Sequence, residues 1–451
     1  MKKLLFSLGI LCLFHAKAQE QLSLSDAIQI GLKRNYNILI EEGNVEVAQN
    51  NNNWGEAGRW PTISLNLNQN NNLTDNVKVA FPTATQGQTL SNSLNPVVNV
   101  NWTIFDGFRV KITKKRLELL QAETEGNASV VIANSLQSIV LGYYLAVLEQ
   151  ERLGEFEKQL DLSRDKYDYI KVKSDLGGAV TTDVLLEEGN YLTDSINFIN
   201  QQLVFRNAIR DLNVLLAEQD VTKTYIFTDE LSIPDEEYVY DDLREQMFHE
   251  NVDLQKQYIT QSLLGQATKL SNADRYPRLS LAASFSENRN SLDLSDAIFF
   301  TGNGFSNGPD TRLNSVTDNY TANFTLSYTL FNGGRIKRAI KNAMVNERVG
   351  ELRVDQLENS LDRDLLSGLD RHNNRRQLFA INARREEAAK TNLDLSEEKF
   401  KNGSINSFDY RDVQNNYLSA SILKLQAIYN LINSKIELMR LTGGMIREYN
   451  Q

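Results

Sequence analysis

Few residues in this chain could do chemistry, and they are scattered. Among 451 residues there are three histidines and one cysteine, Cys12. Beyond the N-terminal region only His249 and His372 remain, far apart on stretches with helical patterning. No metal cluster, phosphate-binding glycine loop or nucleophile constellation appears. The chain therefore reads as a non-enzyme without metal or cofactor, its histidines ordinary surface or core residues. One acidic pair stands out, Asp409 and Asp412. Their spacing of three puts both carboxylates on one face of a helix. At a helix start, Asp409 can cap and Asp412 can sit in solvent, both favoured by the N-terminal dipole.

The elements that position these residues begin with a leader. Lys2 and Lys3 precede an apolar run from Leu4 to Phe14, and Ala16-Lys17-Ala18 supplies small residues for cleavage. This pattern is a secretory signal over residues 1–18, with the mature chain starting at Gln19. Leu11 before Cys12 argues against a lipid anchor. Removal of Lys2, Lys3 and Lys17 takes the net charge from -10 to -13 (-10 minus three). That acidity argues against a nucleic-acid partner. No later segment is expected to reach the ~20 apolar residues of a membrane helix. The mean hydropathy of -0.41 fits a periplasmic protein as well as a β-barrel.

The chain is built twice. Arg59-Trp60-Pro61 recurs as Arg275-Tyr276-Pro277, an offset of 275 − 59 = 216. Trp102-Thr103-Ile104-Phe105-Asp106-Gly107 recurs as Tyr328-Thr329-Leu330-Phe331-Asn332-Gly333, an offset of 328 − 102 = 226. The same 226 relates Gly177 to Gly403 and Asp183 to Asp409. The second half thus carries a 10-residue insertion (226 − 216) between its strand-like segments, expected in an exposed loop. Residues 19–217 form the first repeat, 218–240 a connection containing Pro234, 241–445 the second repeat and 446–451 a short tail. Each repeat reads helix, strand, loop, strand, long helix, turn, helix. In the first, a helix opens at Ser23–Asp26 and runs to about Asn53, a long one runs from Gly107 to about Asp175, and a third from Thr182 to Ala217. About 68 residues of helix reach roughly 100 Å, far beyond the needs of a globular core. They imply a coiled-coil or tubular assembly.

The strands alternate with period two. Tyr320, Ala322, Phe324, Leu326, Tyr328 and Leu330 alternate with Thr, Asn and Ser; so do Val98, Val100, Trp102 and Ile104. Ile63, Leu65 and Leu67, and Leu279, Leu281, Ala283 and Phe285, are their shorter partners. Such strands suit an ordinary half-buried antiparallel sheet or a transmembrane barrel. Four strands cannot close around an aqueous lumen, and open edges cannot face lipid. A membrane role therefore needs several chains to complete one barrel.

These residues resemble the TolC-type outer-membrane efflux and secretion channel family over nearly the whole mature chain. The carriers are Leu24-Ser25-Asp26-Ala27-Ile28 with Asn35, Trp60-Pro61 and Tyr276-Pro277, Phe105-Asp106-Gly107 and Leu330-Phe331-Asn332-Gly333-Gly334, and the paired Gly177/Asp183 and Gly403/Asp409. The resemblance implies a mixed α and β membrane protein: a homotrimer with four strands per protomer in one 12-stranded barrel, continued by a long α-helical coiled-coil barrel across the periplasm. It implies an outer-membrane duct for efflux or type I secretion, opened by a periplasmic adaptor (membrane fusion protein) and an inner-membrane transporter of RND, ABC or MFS type. The competing reading is a soluble periplasmic coiled-coil adaptor or structural protein.

The resemblance also assigns places. Gly177 and Gly403 become hairpin turns at the periplasmic end, Asp409 and Asp412 an acidic constriction, and Thr182, Asp183 and Phe400 contacts holding the tips. Asp106, Gly107, Asn332 and Gly333 become barrel-to-helix junctions, with Asp106 and Asn332 as N-caps. Where the family's best-known member has an arginine two residues after the second glycine, this chain has Ile405, so its latch differs.

Overall fold

A computed structural model describes residues 20–76, 85–232, 236–300 and 304–449. The leader with Cys12, and Pro234, lie outside the described residues. β1 (Glu20–Leu22), α1 (Leu24–Arg34) and α2 (Tyr36–Asn51) lead to β2 (Thr62–Asn76), β3 (Thr85–Phe105), α3 (Arg109–Asp175) and α4 (Thr181–Leu215). Then follow β4 (Tyr225–Phe227), α5 (Tyr240–Glu250), α6 (Val252–Ala273), β5 (Arg278–Asp293), β6 (Ala297–Phe300), β7 (Phe305–Asn307) and β8 (Leu313–Ser327). The chain ends with α7 (Arg335–Lys401), α8 (Ser407–Leu441) and α9 (Gly444–Tyr449). α3 and α7 have 67 residues each, and α4 and α8 have 35 each.

The first helix differs from expectation. It starts with a capping box between Ser23 and Asp26, but breaks at Asn35 instead of running to Asn53. Asn35 accepts from the Asn37 N–H at 3.0 Å and donates to the Leu215 carbonyl at 2.8 Å. Asn251 repeats this, accepting from the Leu254 N–H and donating to the Leu441 carbonyl, each at 2.9 Å. The pairs follow the duplication, since 251 − 35 = 216 and 441 − 215 = 226. A buried amide that satisfies two backbone groups stabilises a helix break better than a continued helix would.

The described residues fall into two units, one from Met1–Val45, Thr124–Gln257 and Val354–Gln451, the other from Glu46–Glu123 and Tyr258–Arg353. Each repeat contributes to both. The first unit is helical, with one small parallel sheet of β1 on β4 that sequence patterning did not reveal. Its larger core packs Ile28, Leu136, Ile139, Tyr143, Leu212 and Ile432 together. The Tyr143 hydroxyl donates within this core, 2.6 Å from Asp229 Oδ2. A smaller core joins Leu243, Met247, Leu254, Leu361, Leu365 and Leu438. Contrary to expectation, α3 is long and apolar enough in part to cross a membrane. Its Leu136, Ile139, Val140, Tyr143 and Val147 are instead at most 1% exposed within the protein core.

The second unit is dominated by one antiparallel sheet in the order β2-β3-β5-β8. The insertion is not plain loop, because β6 pairs with β7 and also with Thr85–Gly87 of β3. β8 ends at Ser327, so the alternation continues past the strand through Tyr328 and Leu330. The start of β2, the end of β3, the start of β5 and the end of β8 share one end of the sheet. Every long helix connection therefore leaves from that end.

Candidate functional site

The sheet sorts its side chains by register. Ile63 faces Val100, Val100 faces Ala283, and Ala283 faces Ala322. In the next row, Leu65, Val98, Phe285 and Tyr320 follow one another across the four strands. Trp102, Leu281 and Phe324 make a third. Residues facing one another in a ladder share a face, so these rows build one apolar surface. The alternate rows are polar, as in Ser64, Asn99, Ser284 and Thr321. The apolar surface is uncovered: Leu65 is 72% exposed, Tyr320 76% and Phe324 68%. β2 and β8 each pair on one side only among the described strands. An open-edged sheet with one exposed oily face is an unfinished structure in water.

At the helix end of this sheet, aromatic residues collect. Trp102 Nε1 donates to the Arg59 carbonyl at 3.0 Å, and the Arg59 guanidinium lies over the rings of Trp54 and Trp60. Asp106 is buried, and its Oδ1 accepts weakly from the Val110 N–H at 3.4 Å. Gly107 has φ +69°, and a Cβ there would lie 2.5 Å from the Ala273 carbonyl oxygen. Only glycine fits. The partner junction is looser, with Gly333 in open space at φ +66°. Asn332 lines an open cleft with Asp274, Arg278 and Arg335; its backbone carbonyl, rather than its side chain, accepts from the Arg335 N–H at 3.4 Å.

The other candidate residues lie at the helical hairpins of the first unit. Gly177 and Gly403 are left-handed, at φ +79° and +71°. The following residues return hydrogen bonds to the Lys173 and Lys399 carbonyls, both at 2.8 Å. Each turn is thus a glycine C-cap. Asp409 does not cap its helix; the Asn406 side chain does, accepting the Asp409 N–H at 2.9 Å. Asp409 and Asp412 are both exposed, and Asp412 Oδ2 accepts from Asn416 Nδ2 at 3.1 Å. Thr182 is exposed and Asp183 half-buried in the first turn of α4. Among the described residues no hydrogen bond or ion pair links Asp409 or Asp412 to either. Phe400 stacks on Tyr410 at 4.9 Å and meets Tyr169 edge-on at 6.0 Å.

Beneath Phe400 lies a polar network that sequence reading missed. Lys166 Nζ is 3.1 Å from Glu187 and donates to the Ser407 carbonyl at 2.8 Å. It also lies 5.5 Å from the Phe400 ring and 5.6 Å from the Tyr410 ring. Burial pushes the Lys166 ammonium below its usual pKa, while Glu187 acts in the opposite direction. Arg411 grips Asp194 with two hydrogen bonds of 2.6 and 2.8 Å. The Ser407 hydroxyl also bonds Glu187. The hairpin α3–α4 is thereby tied to the hairpin α7–α8 by charges held out of water. A sequence signal existed: Glu187, Asp194, Gln201 and Ala208 recur every seven residues, and all four are buried.

Known proteins agree with this geometry. The family model described as Outer membrane efflux protein matches residues 243–444. The chain is similar to the crystal structure of a membrane protein from Pseudomonas aeruginosa, with TM-score 0.72 and 14% identity over 93% of each chain. It resembles the CmeC outer membrane channel of Campylobacter jejuni, with TM-score 0.71 and 14% identity over 95% of this chain and 89% of that one. It also resembles the open state of the MtrE outer membrane channel of Neisseria gonorrhoeae, with TM-score 0.69 and 14% identity over 93% and 88%. No curated protein matches by sequence. Residues 243–444 are thus similar to the outer membrane efflux protein family, and the chain as a whole has the fold of these outer-membrane channels.

Proposed function

We propose that this protein is the outer-membrane duct of an export system, passing small molecules or proteins from the periplasm to the outside. The observation that carries this reading is the four-stranded sheet, with registered apolar rows on one face, polar rows on the other and two open edges. Lipid against the apolar face and water against the polar face satisfy both. Three copies close the edges into a 12-stranded barrel. α4 supports self-association independently. It buries Glu187, Asp194 and Gln201, yet leaves Leu185, Leu192, Ile196, Ile199 and Leu203 exposed. A helix with its polar residues inside and its apolar residues outside needs a further protein surface.

The hairpin tips are the periplasmic gate in this reading. Asp409 and Asp412, threefold repeated, form a ring of six carboxylates around the axis, with Thr182, Asp183 and Phe400 nearby. An adaptor and an inner-membrane pump engage that end. The test is purification from outer membranes followed by planar-bilayer recording. A heat-modifiable trimer with discrete conductance is expected; a water-soluble monomer overturns the reading.

A further inference from the structure

We propose that the helix end of the sheet is a phosphate-binding collar, built to hold anionic phospholipid headgroups of the leaflet that faces the periplasm. This rests on the membrane reading of the sheet. Residues 54–61, 106–118, 274–278 and 328–341 hold 12 Lys or Arg against 4 Asp or Glu, a balance of 12 − 4 = +8 in a chain whose net charge is -10. The opposite end is reversed. Residues 69–76, 85–94 and 287–318 hold 2 Lys or Arg against 6 Asp or Glu, a balance of -4. The positive charge therefore collects at the edge of the apolar rows from which the helices leave.

The basic residues also sit where a helix does not want them. Neither 67-residue helix has an acidic residue in its first turn. Those turns carry Arg109 and Lys111 in one helix, and Arg335, Lys337 and Arg338 in the other. Cations at a helix N-terminus oppose the dipole; Arg109 is offset by Asp274 at 2.5 Å and Arg338 donates to the Gly333 carbonyl, which leaves Lys111, Arg335 and Lys337 for an external anion. The pattern is duplicated: Arg109, Lys111 and Lys115 recur 226 positions on as Arg335, Lys337 and Lys341. Lys111, Arg335, Lys337 and Lys341 are exposed and form no ion pair among the described residues. Trp60 and Tyr276 immediately precede β2 and β5 at this end of the sheet, and Trp102 bonds the Arg59 carbonyl there, all residue types that seat at a membrane interface. A row of phosphates just outside an apolar band is the complementary partner for such a collar. The source is lipid and not free phosphate because the charges follow the edge of the band; Arg278 and Arg335 do share a cleft, but Asp274 lies in it.

All three tryptophans, Trp54, Trp60 and Trp102, lie in this region and report on it. The full protein is reconstituted in phosphatidylcholine vesicles containing either brominated phosphatidylglycerol or brominated phosphatidylcholine at equal fractions, and tryptophan quenching is compared. The expected preference for phosphatidylglycerol is roughly tenfold at low salt, falling as salt rises. The variant Lys111→Gln, Arg335→Gln, Lys337→Gln, Lys341→Gln is expected to lose the preference while still forming trimers. A variant with the same charge change further along α7 (Arg384→Gln, Arg385→Gln, Lys390→Gln, Lys399→Gln) is expected to keep it. Equal quenching by both lipids in the unmodified protein, or preference retained in the first variant, overturns the collar. Quenching by neither lipid refutes the membrane reading itself.

Discussion

Lys166 and Glu187 form an ion pair of 3.1 Å in which the side chains are only 2% and 1% exposed. Through the Ser407 carbonyl the same ammonium fixes the start of α8. Removing one member leaves a buried charge without its partner, at a cost of about 3–5 kcal/mol. Lys166→Met should therefore loosen both hairpin tips, seen as faster amide exchange around residues 160–190 and 400–412. The double variant Lys166→Met, Glu187→Leu should recover most of the protection. Equal protection in the single variant and the unmodified protein would show that the tips are held by other contacts.

His372 gives the helical unit a pH dependence. It is 3% exposed and 3.0 Å from the Ser434 hydroxyl. Burial lowers its pKa below 6.5, and the nearby Arg376 and Lys435 push it the same way. Between that lowered value and 6.5 the unfolded chain binds a proton that the folded chain refuses. The stabilisation is complete above 6.5 and is lost as pH falls below it. Melting temperature should drop on acidification from neutral to about pH 5, and His372→Gln should flatten that drop. An unchanged slope in the variant would assign the effect to other groups.

The two faces of the sheet should respond oppositely to charge. Phe324 and Asn323 are neighbours on opposite faces of β8, paired with Leu281 and Ala282. Phe324→Arg puts a guanidinium against lipid and should cost about 2–4 kcal/mol if it lies near the bilayer midplane. Asn323→Arg faces the lumen and should assemble normally. Trimer yield on heat-modifiable gels reads the difference, and equal yields would contradict the assignment of faces.

Asp409 and Asp412 are both exposed in α8, and in the proposed trimer they would offer divalent cations six carboxylates. Asp409→Ala with Asp412→Ala should weaken block of single-channel current by added divalent cations. Undiminished block in planar bilayers would place the constriction elsewhere.

Much of this fold was legible because it is written twice. The offsets of 216 and 226 marked the strand ends, the hairpin glycines and the inserted loop, and helical periodicity placed α3 and α4 within a few residues. Asn35 was visible as a motif but not as a break, since its partner, the Leu215 carbonyl, is 180 residues away. β1 and β4 have three residues each, too short for any alternation to show. The tip network escaped for a different reason. Lys166, Glu187, Asp194 and Arg411 are residue types that normally face water, so a polar helix face does not by itself announce their burial. Only the sevenfold spacing on α4 betrayed burial, and without geometry it does not say which residues answer across the seam.

The central pairing of the sheet joins the two repeats, with Val98 facing Phe285 across 187 residues (285 − 98). Closing so long a loop is entropically costly, and contacts this distant in sequence form late. β3 precedes β5 in the chain and is therefore made first. Until the second repeat arrives, the first hairpin carries an open template for pairing with any other chain nearby. The duplication that completes the sheet therefore also sets the interval during biogenesis when this protein is most exposed to aggregation.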